Sequence, residues 1–312
     1  MNIVYLFLTH KNPAIVTRTI SLLQSPSARF FVHVDATSTA DFSALETMDN
    51  VYFPPRRIAV QWGGFSQIEA VLLSLSEIVR LNLGDFVLLL SEADYPIKSR
   101  SYIEQYIAAN YHDFIQGYSL PSSVLPWQEG GRRKLECYAL RLRSKMIATI
   151  EPRVLDSHNL RQLAKVLLGN PLKIPEALQI LLSYPCRRHP NYIKPFGGEF
   201  WFGLRTSTIS MALQFISEHR DYLQYMTHTQ NPDEILMHSL VHHLVAHDEI
   251  THHTLRKVSW KSGCGNSPAD ILPSDTEWLN AACADRDSLF VRKVQCPDVC
   301  NVIDSMVSGI HL

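Results

Sequence analysis

Four short stretches carry side chains that move protons or hold anions. Pro232-Asp233-Glu234 sets two carboxylates at the opening of a helical pattern. Gly197-Gly198-Glu199-Phe200-Trp201-Phe202 sets one carboxylate between a glycine pair and an aromatic wall. Arg256 and the doublet Arg292-Lys293 offer guanidinium forks and a mobile ammonium, groups that neutralise a departing anion. Glu92-Ala93-Asp94 follows a buried apolar run and has the acidic-x-acidic form whose hard oxygens suit Mg²⁺ or Mn²⁺. Each stretch also has a plainer reading. First-turn carboxylates favour the helix dipole, and an Arg-Lys doublet is usually a solvated surface. Leu289-Phe290-Val291 before that doublet is a strand-like run that would aim it inward.

The histidines invite a metal reading less well. His238 and His242 stand four apart on a helical stretch, with His243, His247, His252 and His253 nearby. That spacing can share one metal, but no intervening Glu makes a zincin pattern, and ordinary hydrogen-bonded histidines explain it. The six cysteines (137, 186, 264, 283, 296, 300) follow no disulfide spacing, so free thiols are expected. With 29 Lys and Arg against 30 Asp and Glu, the chain lacks the positive excess of a nucleic-acid binder. Any anionic substrate must meet local patches.

One such patch runs from Arg132 through Arg133, Lys134, Arg141 and Arg143 to Lys145, against the single acid Glu136. The spacing of Lys134, Arg141 and Lys145 predicts part of it on one helical face, which makes an anionic acceptor an expectation. A solvated helix or a subunit contact explains the patch equally well.

The elements that must position these residues alternate. Ile3–Leu8, Phe30–Val34 and Phe86–Leu90 read as buried strands, Val51–Phe53 as a shorter one. Helices are predicted from Asn12-Pro13 to about Gln24 and over Gln67–Leu81. This alternation predicts an α/β fold with a mostly parallel sheet, helices on both faces and ligands at the strands' carboxyl ends. Thr9-His10, Asp35 and Glu92 to Asp94 fall at such ends. Helical pattern returns over 157–183, broken at Gly169-Asn170-Pro171, then through Ser207–Glu218 and Pro232 to about Val245. A single domain is expected over 1–312, with a nucleotide-binding half to about 115 and an acceptor-binding and catalytic half beyond. No run reaches about 18 uninterrupted apolar residues. The opening strand has no basic leader and is too short for a signal segment. A cytoplasmic location is expected, free or peripheral at the inner face of the membrane.

Several segments in order resemble glycosyltransferase family 14, which holds the core-2 and I-branching β-1,6-N-acetylglucosaminyltransferases and the peptide O-xylosyltransferases. They are Phe31-Val32-His33-Val34-Asp35, Gln61-Trp62-Gly63-Gly64-Phe65-Ser66, Leu90-Ser91-Glu92-Ala93-Asp94-Tyr95-Pro96-Ile97-Lys98 and the Gly197–Phe202 stretch. Pro232-Asp233-Glu234, Leu255–Trp260, Ser267-Pro268 and Leu289–Lys293 follow. The resemblance implies a glycosyltransferase A-type fold, Rossmann-like, and an inverting mechanism. It also implies a UDP-sugar donor, a glycan acceptor and no essential metal or other cofactor. It makes Glu234 the base, with Glu199 the second candidate, and Arg256, Arg292 and Lys293 the groups at the diphosphate. Thr9, His10, Asp35, Trp62, Gly63, Ser66 and Asp94 would line the donor site, Ser66 also reading as a helix N-cap. Trp201, Arg132 and Arg133 are placed with the acceptor, a glycan that is anionic or lipid-linked. The stem and membrane anchor of the animal enzymes are not matched, which implies a compact bacterial member. Rival readings are a non-catalytic glycan- or nucleotide-binding protein of the same fold, a metal-dependent transferase using Glu92 and Asp94, and a metal-dependent hydrolase or deaminase on the histidines.

Overall fold

The computed structural model describes residues 1–143, 146–260 and 267–309. Its strands are β1 (Ile3–Thr9), β2 (Ala28–Val34), β3 (Val51–Tyr52), β4 (Phe86–Ser91), β5 (Asp94–Pro96) and β6 (Asp113–Ser119). Then come β7 (Tyr138–Arg143), β8 (Met146–Ile150), β9 (Phe196–Arg205), β10 (Ile250–Thr251), β11 (Arg256–Val258) and β12 (Phe290–Arg292).

Seven strands form the central sheet in the order β10-β6-β9-β4-β1-β2-β3. β1 runs parallel to β2 and β4, and β2 to β3, so the first third is the Rossmann-like arrangement that strand-helix alternation dictates. The inner strands bury both faces, as parallel strands covered by helices must. Val4, Leu6, Phe31, Val87 and Leu89 join one core layer, while Ile3, Tyr5, Phe7, Phe30, Val32, Leu88 and Leu90 join the other. That division is the period of two along a strand. β9 enters antiparallel between β4 and β6. Glycine is required at Gly198 there, because a Cβ would lie 1.9 Å from the Gln116 carbonyl oxygen.

The flanking helix Pro13–Leu23 begins with proline, whose fixed φ suits a first turn, and buries Ile15, Val16, Ile20 and Leu23. Helix Phe65–Arg80 buries Ile68, Val71, Leu75 and Ile78 at the same helical spacing. The 157–183 pattern resolves into helices Ser157–Gly169 and Ile174–Ser183, parted at Asn170-Pro171.

A second, small sheet of order β11-β12-β5 builds the site. Its antiparallel β12–β5 register sets Arg292 opposite Asp94. Three expectations need correction. The basic stretch is not one helix: helix Arg132–Glu136 stops at Cys137, and the hairpin β7–β8 follows. In 138–143 Tyr, Leu and Leu alternate with Ala, Arg and Arg, a strand period that outweighs the helical spacing; Lys145 lies outside the described residues. Ser66 is not an N-cap. Gly64 holds that position, and the Ser66 hydroxyl accepts from the Gln61 amide at 2.8 Å instead. Pro232–Glu234 forms a separate 3₁₀ turn before helix Leu236–Leu244. The five described cysteines are free, and Cys264 lies outside the described residues.

Candidate active site

Asp94 is the hub. Its Oδ2 accepts from the Ser91 amide at 2.8 Å, the Ser91 hydroxyl at 2.7 Å and Arg292 Nη1 at 3.1 Å, while Oδ1 accepts from Arg256 Nε at 3.0 Å. Three of these donors converge on Oδ2 and one reaches Oδ1, so the carboxylate is held chiefly through Oδ2. The turn from β4 into β5 brings Ser91 and Asp94 together, and the small sheet delivers both arginines.

Arg256, expected at the diphosphate, has a different place. Its side chain is fully buried, with Nη1 donating to the Thr254 carbonyl at 3.1 Å and Nη2 to the Leu89 carbonyl at 2.6 Å. A guanidinium so enclosed fixes Asp94. Arg292 remains partly open, and Lys293 touches the Ser267 hydroxyl. These two are the cations a bound anion can reach. Both guanidiniums lie over the Trp201 ring, with Cζ 4.5 Å (Arg256) and 4.3 Å (Arg292) from its centroid, within cation–π range.

Glu199 on β9 belongs to the same cluster. Burial pushes its carboxyl above the usual range and neighbouring Glu234 adds to the rise, while Arg256 and Arg292 pull the other way. The 3₁₀ turn brings Glu234 to this carboxylate from the opposite side in sequence. Glu234 Oε2 pairs with Lys134 Nζ, and that ammonium sits 4.0 Å over the Trp127 ring. Asp233 beside it is buried, and its Oδ1 has no partner among the described residues. Burial first, and then Glu234, push Asp233 up to about 7.

The donor-side residues gather at the carboxyl ends of β1, β2 and β4. Thr9 closes β1, and its carbonyl accepts from the Asp35 amide at 2.8 Å. Asp35 holds the Thr37 amide at 2.7 Å and the Val60 amide at 3.1 Å, and His33 Nε2 accepts from the Ile58 amide at 3.0 Å. Segment 58–60 is thus pinned across the strand ends. His10 Nδ1 lies 3.0 Å from Glu92 Oε1, a contact that raises the imidazole's affinity for its proton. Glu92 and Asp94 are therefore held by different partners. Gly63 adopts φ +67°, and its carbonyl accepts from the Asn231 amide at 3.1 Å. The Trp62 carbonyl accepts from Arg141 at 3.0 Å, leaving the indole half exposed. That turn therefore braces the residue that precedes Pro232-Asp233-Glu234.

Arg132 and Arg133, expected at the acceptor, are engaged within the chain. Arg132 pairs with Glu129 and Glu136; Arg133 pairs with Glu129, Glu151 and Asp156. From that stretch Lys134 reaches Glu234. Among the described residues no group of three or more His, Cys, Asp and Glu is placed to hold a metal ion. His238 instead packs against Gly198, behind Glu199. Sequence reasoning missed Lys134 as the partner of Glu234, Ser91 as the donor to Asp94, and Asn231 as the anchor. Only Ser91 had a local signal, an acceptor-turn spacing three residues before the aspartate.

Carboxylates and cations thus meet at the carboxyl ends of the strands of a Rossmann-like sheet, where ligands bind in open α/β folds. The family model of the core-2/I-branching enzymes matches residues 3–279, and the chain belongs to that glycosyltransferase family. It is similar to xylosyltransferase oxt of Drosophila pseudoobscura pseudoobscura, 22% identical over 88% of this chain and 29% of the relative. It is also similar to human xylosyltransferase 2, 24% identical over 90% of this chain and 31% of that protein. The chain thus spans under a third of the length of these relatives. Among solved structures it resembles S. aureus TarS 1–349, with a TM-score of 0.29 and 14% identity over 46% of this chain and 43% of that one. Among the described residues no helix is long and apolar enough to cross a membrane.

Proposed function

We propose that this chain is an inverting glycosyltransferase that moves N-acetylglucosamine or xylose from a UDP-sugar to a glycan hydroxyl, forming a β-linkage without an essential metal. The observation that carries this reading is the meeting of Glu199 with Glu234, Arg256 and Arg292, both arginines held by Asp94. Glu234 takes the proton of the acceptor hydroxyl. The freed oxygen bonds to the anomeric carbon from the face opposite UDP, and the carbon–oxygen bond to the diphosphate breaks with its electron pair leaving on the phosphate. Arg292 and Lys293 offset the charge that develops there. Arg256 acts on the site through Asp94 and Trp201. Glu199 binds an acceptor or donor hydroxyl beside the base.

The test is a panel of UDP-sugars and oligosaccharide acceptors with the wild-type chain and Glu234→Gln. The variant should bind UDP normally and lose at least about a hundredfold in transfer, the lower end of what a general base contributes. Near-normal turnover would remove Glu234 from the role, and no transfer from any UDP-sugar would sink the reading.

A further inference from the structure

A cavity of about 470 Å³ lies between the end of helix Ile174–Ser183, the start of β7 and helix Arg220–Thr227. Its wall includes Tyr138, Tyr184, Arg187, Arg188, Gln224 and His228. None of these belongs to the site described above. Tyr138 and Tyr184 meet edge to face at 5.1 Å between centroids, and His228 stands 5.5 Å from Tyr138. Among the described residues, the hydroxyls of both tyrosines and the Gln224 amide have no hydrogen-bond partner. Apolar ring surface beside open hydroxyl and amide groups matches the two chemistries of a sugar ring, whose C–H faces are apolar and whose rim is polar.

Charge narrows the class. Arg187 is buried, and its guanidinium donates to the carbonyls of Lys134, Leu135, Cys137 and Tyr225 and to the Thr229 hydroxyl. All these acceptors are neutral. Among the described residues no carboxylate pairs with Arg187, nor with the exposed Arg188 beside it. The one acid in the wall, Asp221, accepts the Tyr192 hydroxyl at 2.7 Å. Burial and the charge of Arg187 both keep His228 from taking a proton. The cavity wall thus carries two cations against one acid: Arg187, its donors engaged, contributes charge from within, and exposed Arg188 is in reach of a ligand.

We propose that this cavity is a saccharide-binding site selective for a sugar that bears an anionic group. Its position ties it to the base. Lys134 offers its carbonyl to Arg187 at 2.9 Å and its ammonium to Glu234, so only helix Arg132–Glu136, about 10 Å across, separates the two. An acceptor with its reacting hydroxyl at Glu234 would hold an anionic unit further along its chain in the cavity. That last assignment rests on the transferase reading; the binding itself does not.

The experiment is calorimetric titration of the full chain, without donor, using a tetrasaccharide that contains glucuronate and a neutral tetrasaccharide of equal length. The glucuronate probe should bind, and the neutral one should bind at least about fivefold more weakly, the advantage disappearing as salt screens it. Tyr184→Ala and Arg188→Ala should each weaken the glucuronate probe about fivefold or more with UDP affinity unchanged. Exposed Arg188→Ala should also leave Tm unchanged, while Tyr184→Ala lowers it through the lost contact with Tyr138. Equal binding of the two probes, no binding, wild-type affinity in both variants, or displacement of the probe by UDP would each overturn the proposal. Binding of the probe by a chain that transfers no sugar would support this site while refuting the transferase reading. In an active enzyme, both variants should raise the KM of a glucuronate-bearing acceptor and leave kcat alone.

Discussion

Arg256 Nε stands 3.0 Å from Asp94 Oδ1, and solvent reaches neither side chain. Taking two charges out of water is costly, and their attraction recovers the cost only when the remaining lone pairs and protons are also satisfied. Here they are. Asp94 has Ser91 and Arg292 as further donors, and Arg256 has two carbonyls and an indole face.

Asp94→Leu should therefore destabilise the fold strongly, by about 3–5 kcal/mol, because it strands the Arg256 charge in the interior. The midpoint of urea unfolding measures this. The double variant Asp94→Leu/Arg256→Met should recover part of the loss, since no charge is then left unpaired. A double variant no more stable than the single would show that the pair is not the reason.

The same pairing bears on metal use. Asp94 already faces two guanidiniums, so a metal cation there would meet their repulsion and would have to displace one of them. Transfer should survive excess EDTA, and added Mn²⁺ should change the rate little. Activity abolished by EDTA and restored by Mn²⁺ would instead make Glu92 and Asp94 ligands, with the arginines displaced.

Acid should weaken the fold before it denatures the carboxylate pairs. Burial lowers His238 to about 3 and both His189 and His242 to about 4, from 6.5. Each is neutral in the fold and takes a proton more readily once unfolded, so between about pH 4 and 6.5 the unfolded chain binds more protons at these positions. Stability from them is present above pH 6.5 and is lost as the pH falls. Asp233, raised to about 7, slopes the opposite way over a similar range, because it keeps a proton that the unfolded chain releases. Lowered His33, His228, His252 and His253 slope with the three histidines, raised Glu199 and His10 with Asp233, and the larger group of histidines leaves Tm falling on acidification. In His238→Asn the fall should be shallower, and a Tm flat from pH 7 to 4.5 in the wild type would contradict the argument.

The first third of the chain was legible because its signals are local. Apolar runs such as Phe86–Leu90 end in polar residues, and a parallel strand covered on both faces has no other way to be written. Thr9 closes β1, Asp35 follows β2 and Asp94 stands just beyond β4, as those apolar runs imply. The remainder was less legible because its contacts are long-range. Nothing in the spacing of Arg132–Lys145 tells that Glu129, Glu151 and Asp156 absorb the two arginines, nor that Lys134 turns to Glu234. The burial of Arg256 was equally hidden, since the residue's type suits both an anion site and a buried pair. Only the register of β12 on β5 tells which arginine faces outward.

The contact of Lys134 with Glu234 yields the last prediction. Lys134 faces two adjacent carboxylates: its ammonium pairs with Glu234 and draws Asp233 toward the ionised form, against burial and the Glu234 charge. Lys134→Met keeps the length of the stem and its apolar contact with Trp127 while removing the cation. Two carboxylates then face each other with no opposite charge between them, an arrangement that favours uptake of a proton by the pair. A protonated pair cannot serve as base. The acid limb of the kcat/KM profile should therefore move upward by about one pH unit or more, the size expected when an opposite charge within contact is lost. At high pH the variant should regain a large share of its rate. A merely structural role for Lys134 would lower the rate at every pH and leave the limb in place. Lys134→Arg should keep the limb near its wild-type position, because it restores the charge. A profile unmoved in Lys134→Met would separate Lys134 from the chemistry, whatever its effect on stability.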